Sequence, residues 1–543
     1  MNIYYLFLFF LFISTNFASL KNNSNNTKRP LKILVFSPSL SWSHAQFLGK
    51  IADTLVDAGH EVNKNETTKV NKIYLIEKSL ESEELLDIKH SSMVADSFNK
   101  KRPIFSFFDH TMTQFGPMVA MTCKEIIQKR ELIQKLTLEH FDVGIAEMYD
   151  FCGIAVFHKI GVRTRISAFA IPLFQSVARI FDIPSFPSFI SNFIVPQRDL
   201  QSSFTSRFIN FYNEFYDWIW MDNFCYRLQD PIIRKEFGND FPNLRHLVKN
   251  VSLIFFNSNP FFEMPRPISN KVIYIGGLVD EQMSENNKKL EPNIKRILDE
   301  ANNGAILFSL GSITDTSRFS KQMLSSIIGA FKQFPQIQFI WKLDKEIIKN
   351  IPSLQNVHTF EWIRQIAILA HPNLKAFITH CGQNSLTEAA RAGIAIIGIP
   401  LFGDQYYNAD VAEKHGMGLQ IDINQLNGVN AENILVEAIQ RILNDQSFSQ
   451  NAKLIAKKLK LTPFKPTETL VKWVEFAAEF NNLNELNLPG EMEMSWFVYY
   501  SVDVILFSLI ILIISLWLIC KFAKLLWLIA NKILKIENKM KQN

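Results

Sequence analysis

A chain of 543 residues with 48% hydrophobic and 20% charged residues holds apolar material for more than one core, which excludes disorder as its main state. Its net charge of +5 equals that of residues 521–543 alone, with six lysines and one glutamate, so the rest of the chain is neutral and carries no electrostatic footprint for a nucleic-acid partner. The five cysteines form no C-x-x-C pair, which argues against zinc or thioredoxin chemistry; a disulfide among Cys123, Cys152, Cys225 and Cys381 is allowed but not indicated.

The apolar block 3–13, followed by small and polar residues, predicts a signal peptide over 1–19, with an uncleaved anchor as the alternative. Ile33–Phe36 then reads as a strand, SPSLSWSH as a loop, and Ala45–Ala58 as a helix closed by Gly59. Strands are predicted at Val70–Ile76, Phe141–Ala146 and 163–169, with a helix near Gly153–Lys159. Residues 172–200, rich in Pro, Ser and Phe, read as loops. Residues 203–228 carry Phe204, Phe208, Phe211, Tyr212, Phe215, Tyr216, Trp218 and Trp220 at helical spacing, which fits core packing, a membrane-facing surface or a greasy acceptor pocket.

A second series starts near residue 271 with the strand Val272–Ile275. Residues 281–303 read as a polar linker. Strands follow at Ala305–Leu310, Ile337–Trp341, Val357–Phe360, Ala376–Thr379 and Ala395–Ile399, with helices at Ser320–Phe331, Ile363–Ala370 and Ser385–Ala392. Strands alternating with short helices, twice over, predict an α/β chain of two doubly wound parallel sheets facing a cleft. Ligands on such sheets sit at the carboxyl ends of strands.

Residues 497–520 are apolar enough for one membrane-spanning helix, and 471–496 would connect it to the body. The lysines of 521–543 follow the span while Glu491 and Glu493 precede it, so the positive-inside rule predicts a cytosolic basic tail and a lumenal body, a type I topology. The tail would rest at an anionic lipid surface. Its final KMKQN resembles a dilysine retrieval signal of the endoplasmic reticulum. N-x-[ST] sequons at Asn22, Asn25, Asn65 and Asn250 would be available for glycosylation in a lumen.

The chemistry concentrates in 358–408. His380, Cys381, Gly382, Gln383 and Asn384 join a buried strand to a helix. Backbone amides at a helix N-terminus bind phosphate, and Gly382 lets the backbone come close. His380 and Asn384 can add donors to a diphosphate. Glu388 can accept from ribose hydroxyls, the carboxylate–amide pair Asp404 and Gln405 suits sugar hydroxyls, and Trp362 offers a flat face for a base.

These residues resemble the UDP-glycosyltransferases of the UDP-glucuronosyltransferase type. That family's signature runs W-x-P-Q, H-P, F-I-T-H-x-G, E-A, G-[VI]-P and P-L-F-x-D-Q-x-x-N. The chain has Trp362, Gln365, His371-Pro372, Phe377-Ile378-Thr379-His380, Gly382, Glu388-Ala389, Pro400-Leu401-Phe402, Asp404-Gln405 and Asn408, and Phe308–Ser312 resembles the family's S-L-G-S turn. The resemblance spans almost the whole chain. It implies a pair of Rossmann-like domains of the GT-B type: an acceptor-binding domain over 20–270 and a UDP-sugar-binding domain over 271–470.

The resemblance also implies roles. Trp362 would stack on uracil, with Gln365 nearby. Ser312, His380, Gly382 and Asn384 would hold the diphosphate, as would Lys342, which stands where many relatives carry Arg. Glu388 would bind ribose, and Asp404 and Gln405 the transferred sugar. His44 would take the acceptor's proton, steadied by Glu147 where many relatives have Asp, with Asp150 as a fallback. The helix terminus and His380 would neutralise the leaving diphosphate; no metal is expected, since no D-x-D or H-E-x-x-H occurs, and no cofactor beyond the UDP-sugar co-substrate.

The implied reaction moves glucuronate or glucose from the UDP-sugar to a hydroxyl of a small lipophilic acceptor with inversion, a detoxification chemistry. Arg364 replaces the proline of W-x-P-Q, and Cys381 and Ser385 replace two glycines. These departures keep a second reading open, an impaired membrane-bound protein that binds UDP or lipophiles and modulates related enzymes. The sugar, the acceptor and any homo- or hetero-oligomer are not legible in the sequence.

Overall fold

The computed structural model describes residues 29–37, 42–63, 74, 98, 110–148, 151–193, 195–196, 200–221, 226–278, 289–312, 314–349, 351–490 and 494–541. Leu31–Asn543 is one contact-linked unit and Met1–Pro30 another. The expected signal peptide, the strand Val70–Ile76 apart from Tyr74, Cys225 and the fallback Asp150 lie outside the described residues.

Two six-stranded parallel sheets carry the fold, as the alternating pattern predicts. The first contains β1 (Lys32–Phe36), β2 (Glu61–Asn63), β3 (Val143–Glu147), β4 (Thr164–Phe169), β5 (Leu253–Phe256) and β6 (Val272–Tyr274), in the order β2-β1-β3-β4-β5-β6. The second contains β7 (Ala305–Ser309), β8 (Gln338–Lys342), β9 (Val357–Phe360), β10 (Leu374–Thr379), β11 (Ala395–Gly398) and β12 (Gly418–Gln420), in the order β12-β11-β10-β7-β8-β9. Central strands such as KILVF, VGIAE and AILFS are apolar without alternation because helices cover both faces.

In each sheet the chain reverses its direction of travel at one place, between β1 and β3 and between β10 and β7. Such a switch point leaves an open crevice at the carboxyl ends of the two strands. The residues after β1 and at the end of β3 include His44 and Glu147. Those after β7 and β10 include Ser312 and His380–Asn384.

Four buried clusters line the sheet faces. One contains Leu470, Val474 and Ala477, all at 0% exposure, packed among Ile33, Val143 and Leu253 of the first sheet. The helix Pro466–Phe480 thus returns from beyond the second sheet to cover the first. Ser252 Oγ donates to Asn481 O at 3.0 Å and Ser269 Oγ to Leu486 O at 3.1 Å, securing the return.

Several local expectations change. A short helix, Gln175–Ile180, lies within the predicted loops of 172–200. A helix, Pro292–Glu300, lies within the predicted linker; proline at its first position has the φ a helix start needs. The aromatic segment is a helix, Phe204–Met221, and of its expected readings core packing fails. Phe204, Phe208, Phe211 and Phe215 are exposed, while Asn210, Asn213 and Asp217 are buried. Asn210 Nδ2 bonds the carbonyls of Pro187 (2.7 Å) and Ile190 (2.8 Å), and Asn192 Nδ2 bonds Asp217 Oδ2 at 2.5 Å. This satisfies the buried polar groups.

A disulfide joins Cys123 to Cys152, tying the helix His110–Ile127 to the helix Cys152–Lys159. The apolar C-terminal segment is an unbroken helix, Val502–Met540, with no break where the tail was expected to begin. It starts later than residue 497 because Ser501, at φ 54°, ends the preceding turn Trp496–Tyr499. Val502–Ile536 is long and apolar enough to cross a membrane. At 1.5 Å per residue the whole helix is roughly 58 Å long, about twice a bilayer's hydrocarbon core.

Candidate active site

One cleft of about 400 Å³ gathers every candidate residue except Glu147, which stands directly behind His44. A larger depression of about 1020 Å³, along the helix Lys321–Lys332, contains none of them.

From the first sheet comes the pair His44 and Glu147. His44 belongs to the first turn of the helix Trp42–Asp57, where a loop position was expected. The helix starts three residues early and carries the ring to the crevice. Glu147 is the last residue of β3 and 1% exposed. Its Oε1 lies 3.3 Å from His44 Nδ1 and accepts from the Ala170 N–H at 3.3 Å. An N–H on Nδ1, the nitrogen nearer the carboxylate, would leave the lone pair on Nε2, where a hydroxyl proton can be accepted. The longer glutamate side chain therefore reaches as required.

From the second sheet come two loops. After β7, Gly311 turns with φ 87°; a Cβ there would sit 2.7 Å from the His380 ring. A Cβ on Gly382 would sit 2.6 Å from His380 Nε2. Both glycines are needed because the imidazole lies between the two loops. Burial, reinforced by Lys342, pushes the His380 pKa down to about 4. The imidazole can offer an N–H at this position, and the charge of a diphosphate beside it would raise its pKa. The positive charge at this end belongs to Lys342, whose Nζ donates to Gly311 O at 2.7 Å and lies 5.4 Å from the Trp362 ring centre. Burial lowers the Lys342 pKa, opposed by Asp344.

The loop after β10 turns through Cys381, a non-glycine residue at φ 63°. Its buried thiol donates to Thr379 O, and Asn408 Nδ2 holds its carbonyl at 2.9 Å. Gly382 then caps the helix Gln383–Ala392, whose first residues Gln383, Asn384 and Ser385 line the cleft. Ser385 lies inside this helix and needs no positive φ. Its hydroxyl, together with Glu388 Oε2, accepts from Gln365 Nε2 at 3.1 and 2.6 Å. Gln365 thus orients Glu388. Trp362 is 67% exposed at the cleft edge. Arg364 pairs with Glu291 at 3.1 Å and also lines the cleft.

Asp404 and Gln405 follow β11. Burial raises the Asp404 pKa, opposed by nearby His44, the Asn408 amide and the Gln383 backbone N–H. Asp404 thus lies between the histidine of the first sheet and the helix N-terminus of the second. Gln405 Oε1 accepts from the Leu401 and Phe402 N–H groups at 2.8 and 3.2 Å, which points its amide nitrogen elsewhere. The sequence reading missed Ser43, Gln46, Thr314 and Gln383 on the cleft wall, and Asn257 behind it. Polar residues flanking the motifs were a usable signal for the first four; nothing local marks Asn257.

The sequence profile of the UDP-glucuronosyl and UDP-glucosyl transferases matches residues 32–540. The Caenorhabditis elegans protein ugt-48, ascribed to the UDP-glucuronosyltransferases, is 31% identical over 88% of this chain and 91% of its own. Human UDP-glucuronosyltransferase 3A2 is 27% identical over 90% of this chain and 92% of its own. Among solved structures, the glycosyltransferase SnogD from Streptomyces nogalater superposes with a TM-score of 0.51 at 16% identity, over 83% of this chain and all of that one.

Proposed function

The chain belongs to the UDP-glucuronosyl and UDP-glucosyl transferase family, as a GT-B UDP-sugar hexosyltransferase, and from that premise we propose that it glycosylates a hydroxyl of a small lipophilic acceptor with inversion. The observation that carries this reading is the shared cleft: a buried His–Glu pair from one sheet faces a helix N-terminus from the other.

In this reading uracil stacks on Trp362 and the ribose hydroxyls bond Glu388. The diphosphate lies on Ser312, Asn384 and the N–H groups of the helix Gln383–Ala392, with Lys342 supplying charge and His380 an N–H donor. Asp404 and Gln405 take the sugar hydroxyls. The acceptor oxygen attacks the anomeric carbon as His44 Nε2 takes its proton and the bond to the diphosphate breaks. Glu147 stabilises the imidazolium that forms. A single displacement at the anomeric carbon inverts it.

The departures from the family pattern leave this arrangement intact, which favours an active enzyme over an impaired binder. Cys381 adopts the left-handed turn, Ser385 serves as a helix residue and Arg364 is paired with Glu291. The disulfide, the apolar helix and the lysines gathered in its second half support a body in the oxidising lumen of the endoplasmic reticulum, held by one span with the tail in the cytosol.

Membranes carrying the protein should release UDP from UDP-glucose or UDP-glucuronate when given phenol and sterol acceptors. Release with one donor alone identifies the sugar. UDP binding without release from either would return weight to the impaired reading. His44→Asn should lower kcat by about 10²–10⁴ while UDP affinity is unchanged; wild-type turnover in that variant refutes the base assignment.

A further inference from the structure

Asn257, in the connection after β5, is 2% exposed and lies outside every motif of the family pattern. Its Nδ2 donates to Ala170 O at 3.2 Å and to Asn384 Oδ1 at 2.9 Å. Its backbone carbonyl accepts from Gln383 Nε2 at 2.7 Å. It is therefore bonded to both halves of the cleft. Ala170 is the residue whose N–H bonds Glu147; Gln383 and Asn384 open the helix at the diphosphate end.

The orientation of these amides follows from chemistry. Ala170 O is a backbone carbonyl and can only accept, so the Asn257 amide nitrogen must face it. The second hydrogen of that nitrogen then needs an acceptor, so Asn384 must turn its oxygen toward Asn257. Asn384 is left with its –NH₂ for the cleft, whose wall it forms. Turned the other way, Asn384 would present a carbonyl oxygen to a diphosphate and repel it.

We propose that Asn257 is a positioning residue for the UDP-sugar: it sets the Asn384 amide as a hydrogen-bond donor toward the diphosphate. This rests on the reading above that Asn384 contacts the diphosphate. The isosteric change Asn257→Asp reverses the bond. A carboxylate at 257 can only accept, so Asn384 would give it the –NH₂ and aim oxygen at the phosphates.

The test measures UDP affinity by calorimetry on the full-length protein in lipid nanodiscs. Asn384→Ala should weaken UDP about 10-fold, the weight of one hydrogen bond to a charged group. Asn257→Asp should weaken it at least as much, and by less in an Asn384→Ala background, where only the charge of the new carboxylate still opposes the diphosphate. A residue that merely packs the two halves together would cause the same loss in both backgrounds, and that result overturns the proposal. Wild-type affinity in Asn257→Asp also overturns it. If Asn384→Ala alone leaves UDP binding unchanged, the assigned contact itself is wrong and the proposal falls with it. Should Asn257→Asp not fold, Asn257→Ser, which frees the Asn384 amide to rotate, should weaken UDP about 3-fold with the same non-additivity.

Discussion

His380 shows how a residue's surroundings override its type. A histidine among residues expected to hold a diphosphate suggests a cation, yet burial between two glycine turns and next to Lys342 holds its pKa at about 4. The unfolded chain titrates near 6.5, so between pH 6.5 and 4 the unfolded state binds the extra proton. Stability from this residue is therefore complete above pH 6.5 and is lost as the pH falls toward 4, by up to about 3 kcal/mol. Unfolding midpoints measured from pH 6.5 down to 4.5 should fall more steeply for the wild type than for His380→Gln. Cys381 gives a second residue-scale test. At φ 63° a side chain costs about 1–2 kcal/mol that glycine does not bear. Cys381→Ala keeps that cost and loses the sulfur's packing. Denaturant midpoints should rank Cys381→Gly above Cys381→Ala by about 1 kcal/mol, the reverse of the usual order in regular structure.

At the scale of elements, strand positions were legible because buried parallel strands are short apolar runs bounded by turns, as at 305–309 and 374–379. Ends were less so: the helix after β1 begins at Trp42, which moves His44 from a loop onto a helical turn. The helix Phe204–Met221 could not be oriented from sequence. Aromatic residues at helical spacing need not face a core, and here a network of buried amides around Asn192, Asn210 and Asp217 holds the other face. Nor could cysteine pairing be chosen, since it depends on Cys123 and Cys152 reaching a Cα separation of 5.6 Å. Replacing both by serine should lower stability by about 2–4 kcal/mol, read as a fall in the denaturant midpoint.

On the scale of the whole molecule, the helix Pro466–Phe480 binds the end of the second half to the first sheet. A chain ending after residue 489 should stay folded, keep UDP binding and leave the membrane pellet. One ending after residue 464 exposes the face that Leu470, Val474 and Ala477 cover, a loss of about 4–6 kcal/mol. Thermal unfolding and sedimentation of the two truncations would separate these outcomes; equal midpoints would show the helix to be dispensable.

The sequence alone determined the two α/β sheets, the apolar C-terminal helix and the family, because periodicity, hydropathy and motif spacing are local properties of a chain. It also named residues that converge on one cleft, those of 358–408 from their place around strand ends and His44, Glu147, Ser312 and Lys342 from the resemblance to the family. Tertiary structure decided what depends on distance between remote residues: the His44–Glu147 contact across 103 positions of chain, the lowered pKa of His380, the outward-facing aromatic residues of the helix Phe204–Met221 and the amide of Asn257 reaching Asn384. Hydrogen bonds and desolvation act over a few ångströms of space, and no local pattern in the chain records which distant groups come within that reach.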